Sequence, residues 1–494
     1  MTTESVQHSA TPQHTATQHT AAHRPRRGAR PAAPTGIVHI GLGNFFRAHL
    51  AWYTEHAPDR GDWGIAAFGG RGAGLARTLR AQDGLYTLVT RHPGGPVSET
   101  VASLSACHGG AEHARLLDLV ADPRTRVVTL TVTEAGYRRG PGGGLDHTDP
   151  EVAADLAALG RSRRAPVTTV PARLVAGLAA RHDAGSGACT VLSCDNLDGN
   201  GAVTRRVVRE AAAAVDPGLA SWIEDTVAFP SAMVDRITPR TGAGEIAKVL
   251  LPSGTADRAP VTTEPFSEWV LQDDFPAGRP RWEDAGARFV PDVTAHERRK
   301  LLMLNGAHSL LAYAAPLRGH TTVAEAVADP VVRGWTDGWW DAAQRHVPLA
   351  GADLARYRAE LAARFANTGI RHRLAQIAAD GSQKLPVRVL PVLRAERDAG
   401  RLGPAVTRPL AAWLLSLRGG PPDDPLGTDP LGTDPLGTDP LADDPLADDL
   451  AAAAAGAPAD AARRVLRLLD PDLAGDEDVV TAVAAEAAAL SAGG

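Results

Sequence analysis

Lysine is nearly missing from this sequence: of 51 basic side chains in 494 residues, three are lysines (Lys248, Lys300 and Lys384) and the other 48 are arginines. Arginine is the default cation wherever bulk charge or ion pairing suffices. Each lysine is therefore a candidate for what a guanidinium cannot do, which is exchange a proton near neutral pH. Cysteine is equally sparse. Cys107, Cys189 and Cys194 have no CxxC spacing and no companion His pair, so neither a disulfide framework nor a zinc site is implied, and no metal is expected. A reducing cytoplasm fits this usage. No run of 18 apolar residues is present to span a bilayer, and the N-terminus, rich in Thr, Gln and His, lacks the apolar core of a signal peptide. Positive charge is not in excess either: 57 acidic residues leave a net charge of -6, which offers no field for nucleic acid. The expected partners are small molecules, and the expected state is a monomer or small homo-oligomer.

What is present divides into segments. Residues 1–34 are polar and Pro-rich without apolar periodicity, and read as a disordered tail. β-rich runs at Ile37–Ile40, Gly64–Phe68, Tyr86–Thr90, Val127–Val132 and Thr190–Ser193 alternate with helix-length stretches, the pattern of parallel βαβ units. From about residue 290 Ala, Leu and Arg at helical spacing replace them. An α/β domain over 35–285 is expected to precede a mainly α-helical domain over 286–494. At about 420–449 a five-residue Asp-Pro-Leu-Gly-Thr repeat, starting at Asp424, Asp429 and Asp434 and decaying through Asp439 and Asp444, reads as a solvated insertion.

The first β-run leads into Gly41-Leu42-Gly43-Asn44-Phe45-Phe46, a partial dinucleotide-binding turn with Phe46 in place of the third glycine. Gly41, Gly43, Asn44 and Phe45 are its candidate contacts; an ordinary strand-to-helix turn is the alternative. The acid that would hydrogen-bond the ribose of NAD is absent after the second strand. Arg71 stands there instead, where it could meet a 2′-phosphate, so both NAD and NADP stay open. No Tyr-x-x-x-Lys pair is present, which leaves a lysine as the proton carrier. In KLLMLNGAH, Lys300, Asn305 and His308 project at about 0°, 140° and 80° on a face shared with leucines. Thr294 and Glu297 read as a capping box starting this helix, and Pro316 ends it. Three polar groups on an apolar face imply either a hydrogen-bonded core network or a cleft. In the cleft reading Lys300 takes a proton from a secondary alcohol, and Asn305 and His308 hydrogen-bond the reacting oxygen. Polar clusters at 193–201, 234–239 and 380–386 are further candidates for it; the alternatives are a plain Asn/Asp/Gly turn for the first and helix caps or salt bridges for the other two.

Seven blocks in order, IVHIGLGNFFRAHLAWYTE, LTVTEAGY, VLSCDNLDGNGAVTR, FPSAMVDRITP, EPFSEWVLQDDFPAGRPRWEDAGARFV, KLLMLNGAHS and DGSQKLP, resemble the polyol-specific long-chain dehydrogenase/reductase (mannitol dehydrogenase) family. The resemblance spans about Ile37 to Leu417. It implies an extended Rossmann-type domain, a helical C-terminal domain, and metal-independent hydride transfer between NAD(P) and a polyol or sugar acid. It also implies that Lys300 is the general acid/base, Asn305 and Asn196 are oxyanion donors, His308 is a substrate and catalytic contact, and Asp235 and Lys384 line the substrate site. Phe46 departs from the family's usual His. Gln376, eight residues before Lys384, matches the members that resemble fructuronate reductase, where mannitol dehydrogenases resemble an Arg. The resulting expectation is a fructuronate reductase (D-mannonate oxidoreductase)-like enzyme whose substrate carboxylate meets Lys384, Arg371 or Arg373. The alternatives are a mannitol 2-dehydrogenase, a dehydrogenase of another polyol such as arabinitol, or a dinucleotide sensor without chemistry.

Overall fold

The computed structural model describes residue 27 and residues 31–70, 72–239, 256–419 and 444–492. The chain enters on β1 (Thr35–Ile40), crosses to β2 (Gly64–Phe68), and makes a hairpin of β3 (Tyr86–His92) and β4 (Gly95–Val101). It continues through β5 (Leu104–His108), β6 (Val127–Leu130), β7 (Cys189–Ser193) and the short β8 (Val227–Ala228). The strands β9 (Ala232–Asp235), β10 (Val261–Thr263), β11 (Glu268–Gln272) and β12 (Arg288–Val290) follow. Hydrogen bonding joins β5-β2-β1-β6-β7-β8 into one sheet in which every pair is parallel. Counting only these strands in chain order gives 3-2-1-4-5-6, the doubly wound Rossmann order, with its reversal between β1 and β6. The strands are apolar on both faces because helices cover both. Val38, Ala66, Phe68, Val128 and Leu130 enter one core, and Ile37, Ile65, Ala67 and Val127 enter the other.

Tyr86–Thr90, expected among the parallel set, lies instead in a separate sheet, β10-β3-β4. Only Pro93 and Gly94 separate β3 from β4, enough for a hairpin turn and far too few for a crossover helix. The third strand of the main sheet is β5. In the remaining sheet, β12-β11-β9, Asp235 pairs with Glu268 and Val234 with Trp269.

Among the described residues no strand follows residue 290, and helices pack around a core that includes Trp339, Trp340 and Trp413. The helix that carries Lys300 begins differently from expectation. Thr294 is already inside it, with Val293 at the N-cap, and the Thr294 N–H and hydroxyl donate to Asp292 at 3.0 and 2.7 Å. A carboxylate outcompetes a neutral hydroxyl as acceptor, so no capping box forms. Glu297 turns away to accept the Gly199 N–H at 3.1 Å. The helix then widens to a π turn over Lys300–Asn305 and resumes as α-helix over Gly306–Ala314. The Leu302 and Met303 carbonyls in that turn accept the indole N–H groups of Trp339 and Trp340 at 2.9 and 3.0 Å. A Cβ on Gly306 would lie 2.5 Å from the Trp339 ring, so glycine permits this approach. The wheel of 100° per residue therefore fails here, because a π turn holds more residues.

Residues 444–449, expected in the insertion, belong to the fold. Asp444 is buried and accepts the Ser382 N–H at 2.9 Å and its hydroxyl at 2.6 Å, and the helix Ala447–Ala454 follows. Residues 420–443, with the repeats from Asp424 to Asp439, lie outside the described residues. Of the expected tail, Arg27 donates to the Asp83 and Ala102 carbonyls at 2.8 and 2.7 Å, and residues 1–26 lie outside the described residues. The three cysteines are free and buried, and no described helix is long and apolar enough to cross a membrane.

Candidate active site

The strand order puts a ligand crevice outside the carboxyl ends of β1 and β6. At the end of β1, Gly41 has φ +116°, and a Cβ there would stand 1.9 Å from the Thr131 carbonyl oxygen just past β6. Beneath the turn the buried His39 ring contacts Thr129 Oγ1 at 2.8 Å, and the Gly41 carbonyl and Thr131 Oγ1 at 3.0 Å each. Burial lowers its pKa to about 3, so the ring is neutral. Phe46 stacks on it at 3.6 Å, which explains an aromatic ring at the third glycine position.

Gly43, Asn44 and Phe45 open onto a cavity of about 640 Å³, within the range of cofactor and substrate sites. A Cβ on Gly43 would meet nothing closer than the Gly41 carbonyl at 3.8 Å, so the backbone there stays open to a close-approaching ligand. The residues present therefore fit a dinucleotide. Past β6, Thr133 holds φ +72°, a strained value for a β-branched residue. Asp195 fixes it by accepting the Val132 and Thr133 N–H groups at 2.8 and 3.1 Å and the Tyr137 hydroxyl at 2.7 Å.

In the same cavity the half-buried Lys300 Nζ donates to Asn196 Oδ1, past the end of β7, and to the Val234 carbonyl of β9 at 2.7 Å. Burial lowers its pKa, the Asp235 carboxylate opposes that, and the Arg364 guanidinium adds to it. Burial pushes Asp235 up, but Arg364 and then Lys300 outweigh it and hold the carboxylate below its ordinary value. Asn305 and His308 line the same cavity. His308 is 8% exposed, stacks on Phe365 at 4.9 Å, meets His372 edge-on at 5.0 Å, and leaves Nε2 without a partner. Burial first, then the nearby His372 and Arg364, keep its pKa well below 6.5.

The fold thus brings Gly43, Asn44, Phe45, Asn196, Asp235, Lys300, Asn305 and His308 to one cavity, with Gly41 shaping its edge. It does not bring Lys384 or Arg373 into the lining. Lys384 donates to the Ala379 carbonyl at 2.5 Å beside its own helix, and Arg373 forms an isolated bridge with Thr322. Arg371 is exposed, and Arg71 lies outside the described residues. Sequence reasoning missed Arg364, which also lines the cavity and which nothing local marks among 48 arginines. No group of three metal-ligating side chains is present among the described residues.

Residues 35–284 match the family model described as mannitol dehydrogenase Rossmann domain, and residues 292–488 match mannitol dehydrogenase C-terminal domain. The chain is 40% identical over 392 residues to mannitol 2-dehydrogenase of Cereibacter sphaeroides, covering 78% of this chain and 81% of the relative. It is 38% identical over 395 residues to D-mannonate oxidoreductase of Escherichia coli (strain K12), covering 78% and 80%. Among solved structures it is similar to Pseudomonas fluorescens mannitol 2-dehydrogenase in ternary complex with NAD and D-mannitol, at TM-score 0.74 and 34% identity over 93% of this chain and 92% of that one.

Proposed function

The chain belongs to the mannitol dehydrogenase family of oxidoreductases, and from that premise we propose that it interconverts a secondary alcohol of a polyol with its ketone, Lys300 exchanging the proton. Gly41, Gly43, Asn44 and Phe45 would hold NAD(P), which supplies the hydride acceptor for the alcohol carbon. The observation that carries the reading is the pairing of Lys300. A neutral amine has two N–H donors and one lone pair. Asn196 Oδ1 and the Val234 carbonyl take two donors, which leaves the lone pair for a substrate hydroxyl. In the reverse direction the third N–H of the ammonium protonates the ketone oxygen. With its Oδ1 accepting from Lys300, Asn196 keeps its amide N–H groups for the reacting oxygen, and Asn305 supplies a second amide.

Oxidation needs the neutral amine and reduction needs the ammonium. Because burial lowers the Lys300 pKa from 10.5, kcat/KM for oxidation should rise with pH to a plateau whose midpoint lies below 10.5. Reduction should fall across the same midpoint. pH–rate profiles in both directions check this, and a midpoint at or above 10.5 would count against it. His308 stays neutral throughout that range, so its Nε2 serves as a hydrogen-bond partner for a substrate hydroxyl. His308→Leu should raise KM for the polyol about tenfold, in line with one lost hydrogen bond, and leave the pH midpoint in place.

A neutral polyol is favoured over a sugar acid because the arginines that line the cavity are already committed. Arg364 pairs with Asp235 and Glu264, and Arg236 donates to the Ala48 carbonyl at 2.5 Å and the Glu264 carbonyl at 3.4 Å. The sugar-acid reading keeps support from Gln376 and from the D-mannonate oxidoreductase relative. A spectrophotometric panel of D-mannitol, D-arabinitol, D-mannonate and D-altronate with NAD and NADP separates them. Turnover of a polyol is expected; turnover of an aldonate alone would establish the second reading, and dinucleotide binding with no turnover would leave a sensor.

A further inference from the structure

Behind Lys300 lies a set of buried ion pairs that the proton exchange does not use directly. Arg364, on the helix Gly351–Phe365 of the helical half, donates to both oxygens of Asp235 at 2.7 and 3.0 Å. The same guanidinium donates to both oxygens of Glu264 at 3.1 and 2.7 Å, and it lies over the Phe266 ring at 4.1 Å. None of the three charged side chains is more than 5% exposed. Burying this many charges is costly, and apolar groups of similar volume often serve stability as well or better, so stability alone gives no reason for the arrangement.

The arrangement has a direct effect at the amine. Asp235 follows Val234 in β9, and the Val234 carbonyl is one of the two acceptors of Lys300 Nζ. We propose that Arg364 is a positioning residue for the general base: by forking both oxygens of Asp235 it keeps that carboxylate from closing onto Lys300, and it fixes the strand end whose carbonyl orients the amine. The inference rests on the role given to Lys300 above. An ammonium with a direct carboxylate partner is held charged, whereas neutral acceptors and a nearby guanidinium favour the free amine. The other charged or titratable groups around Lys300 are Arg236 on the Asp235 side, Glu264 and Glu268 from the strands behind, and Asp198 from the loop after β7. Glu297 and Arg299 on its own helix, Glu134 and Asp195 in the cavity lining, and Tyr357, which burial keeps protonated beside Asp235 and Arg364, add to these, with His49, His308 and His372 uncharged. Of these, Glu268 is paired with Arg299.

The lysine-poor composition makes a direct test practical. Protein labelled with ¹³Cε-lysine gives three side-chain signals, and the one missing from Lys300→Ala belongs to Lys300. In dinucleotide-free protein, Arg364→Gln should raise the midpoint of that signal by about one pH unit or more. The oxidation profile should move up with it, so oxidation near neutral pH falls about tenfold per unit while reduction at the same pH loses less. Arg364→Lys, which keeps the charge and loses the fork, should fall between. In an Asp235→Asn background, adding Arg364→Gln should move the midpoint much less, because Asp235, the carboxylate next to Val234, is no longer there to close onto the amine, and Glu264 is released in both backgrounds alike. An unmoved midpoint in Arg364→Gln, or the same movement in both backgrounds, overturns the proposal. Should Arg364→Gln fail to fold, Arg364→Lys and the Asp235→Asn pair decide the matter by the same criteria. Full activity in Lys300→Ala would sink the general-base role by itself, while the NMR midpoint still judges the link from Arg364 to the amine.

Discussion

Lys300→Ala is expected to lower kcat for polyol oxidation by about 10³-fold, within the usual range for a general base, while the dissociation constant for NAD(P)H stays within about threefold of the parent. The two effects separate because the amine and the dinucleotide turn reach the cavity from different elements: Lys300 comes from the π turn, Gly43 to Phe45 from the turn after β1. Stopped-flow single turnovers measure the first effect, and fluorescence titration of the dinucleotide measures the second. Lys300→Arg sharpens the test. It restores a positive charge and hydrogen-bond donors for Asn196 and Val234, but a guanidinium does not release its proton near neutral pH. If proton exchange is the contribution, Arg fails nearly as badly as Ala; if charge alone mattered, Arg would recover most of the rate. Unchanged turnover in Lys300→Ala would refute the assignment.

Lys300 is legible in the sequence through composition: in a chain with 48 arginines, a lysine beside Asn305 and His308 on an apolar helix is conspicuous. Asn196 and Asp235 were legible through their motifs, and the glycines through the turn they open. Arg364 was hidden by the same bias that exposed Lys300. Its partners lie 129 and 100 residues away, and nothing near it in sequence marks it. The π turn was equally hidden, since the indoles that take its carbonyls come from 37 residues downstream. Lys384 is the converse case, expected at the substrate site and found outside the cavity lining. In sequence it resembles a substrate contact, but the carbonyls at the end of the short helix Leu374–Ala378 lack intrahelical partners, and the nearby ammonium takes them. Asp444 looked like one more unit of a solvated repeat, and only the fold reveals Ser382, 62 residues upstream, as its donor.

Gly41→Ala is expected to raise the dissociation constant for the dinucleotide about 100-fold and to lower Tm by several degrees. At φ +116° an L-residue is strained, which costs on the order of 1–3 kcal/mol. Forcing a methyl group into a filled space costs about as much again. The methyl would stand 1.9 Å from the Thr131 carbonyl and 2.8 Å from its Oγ1. Thr131 cannot retreat easily, because it continues directly from β6, which is paired on one side to β1 and on the other to β7. Nor can the turn lift away freely: the Gly41 carbonyl accepts from Thr131 Oγ1 at 2.8 Å, and the Gly41 and Leu42 N–H groups donate to the Phe68 carbonyl at 2.9 and 3.1 Å. Gly43→Ala provides the contrast. Its methyl meets no protein atom closer than 3.8 Å, so Tm should hold while dinucleotide affinity falls, since the added group occupies the space left for a ligand's close approach. Calorimetric titration with NADH and NADPH beside thermal unfolding reads both. If Gly43→Ala bound either dinucleotide as the parent does, this turn would not be where the cofactor rests.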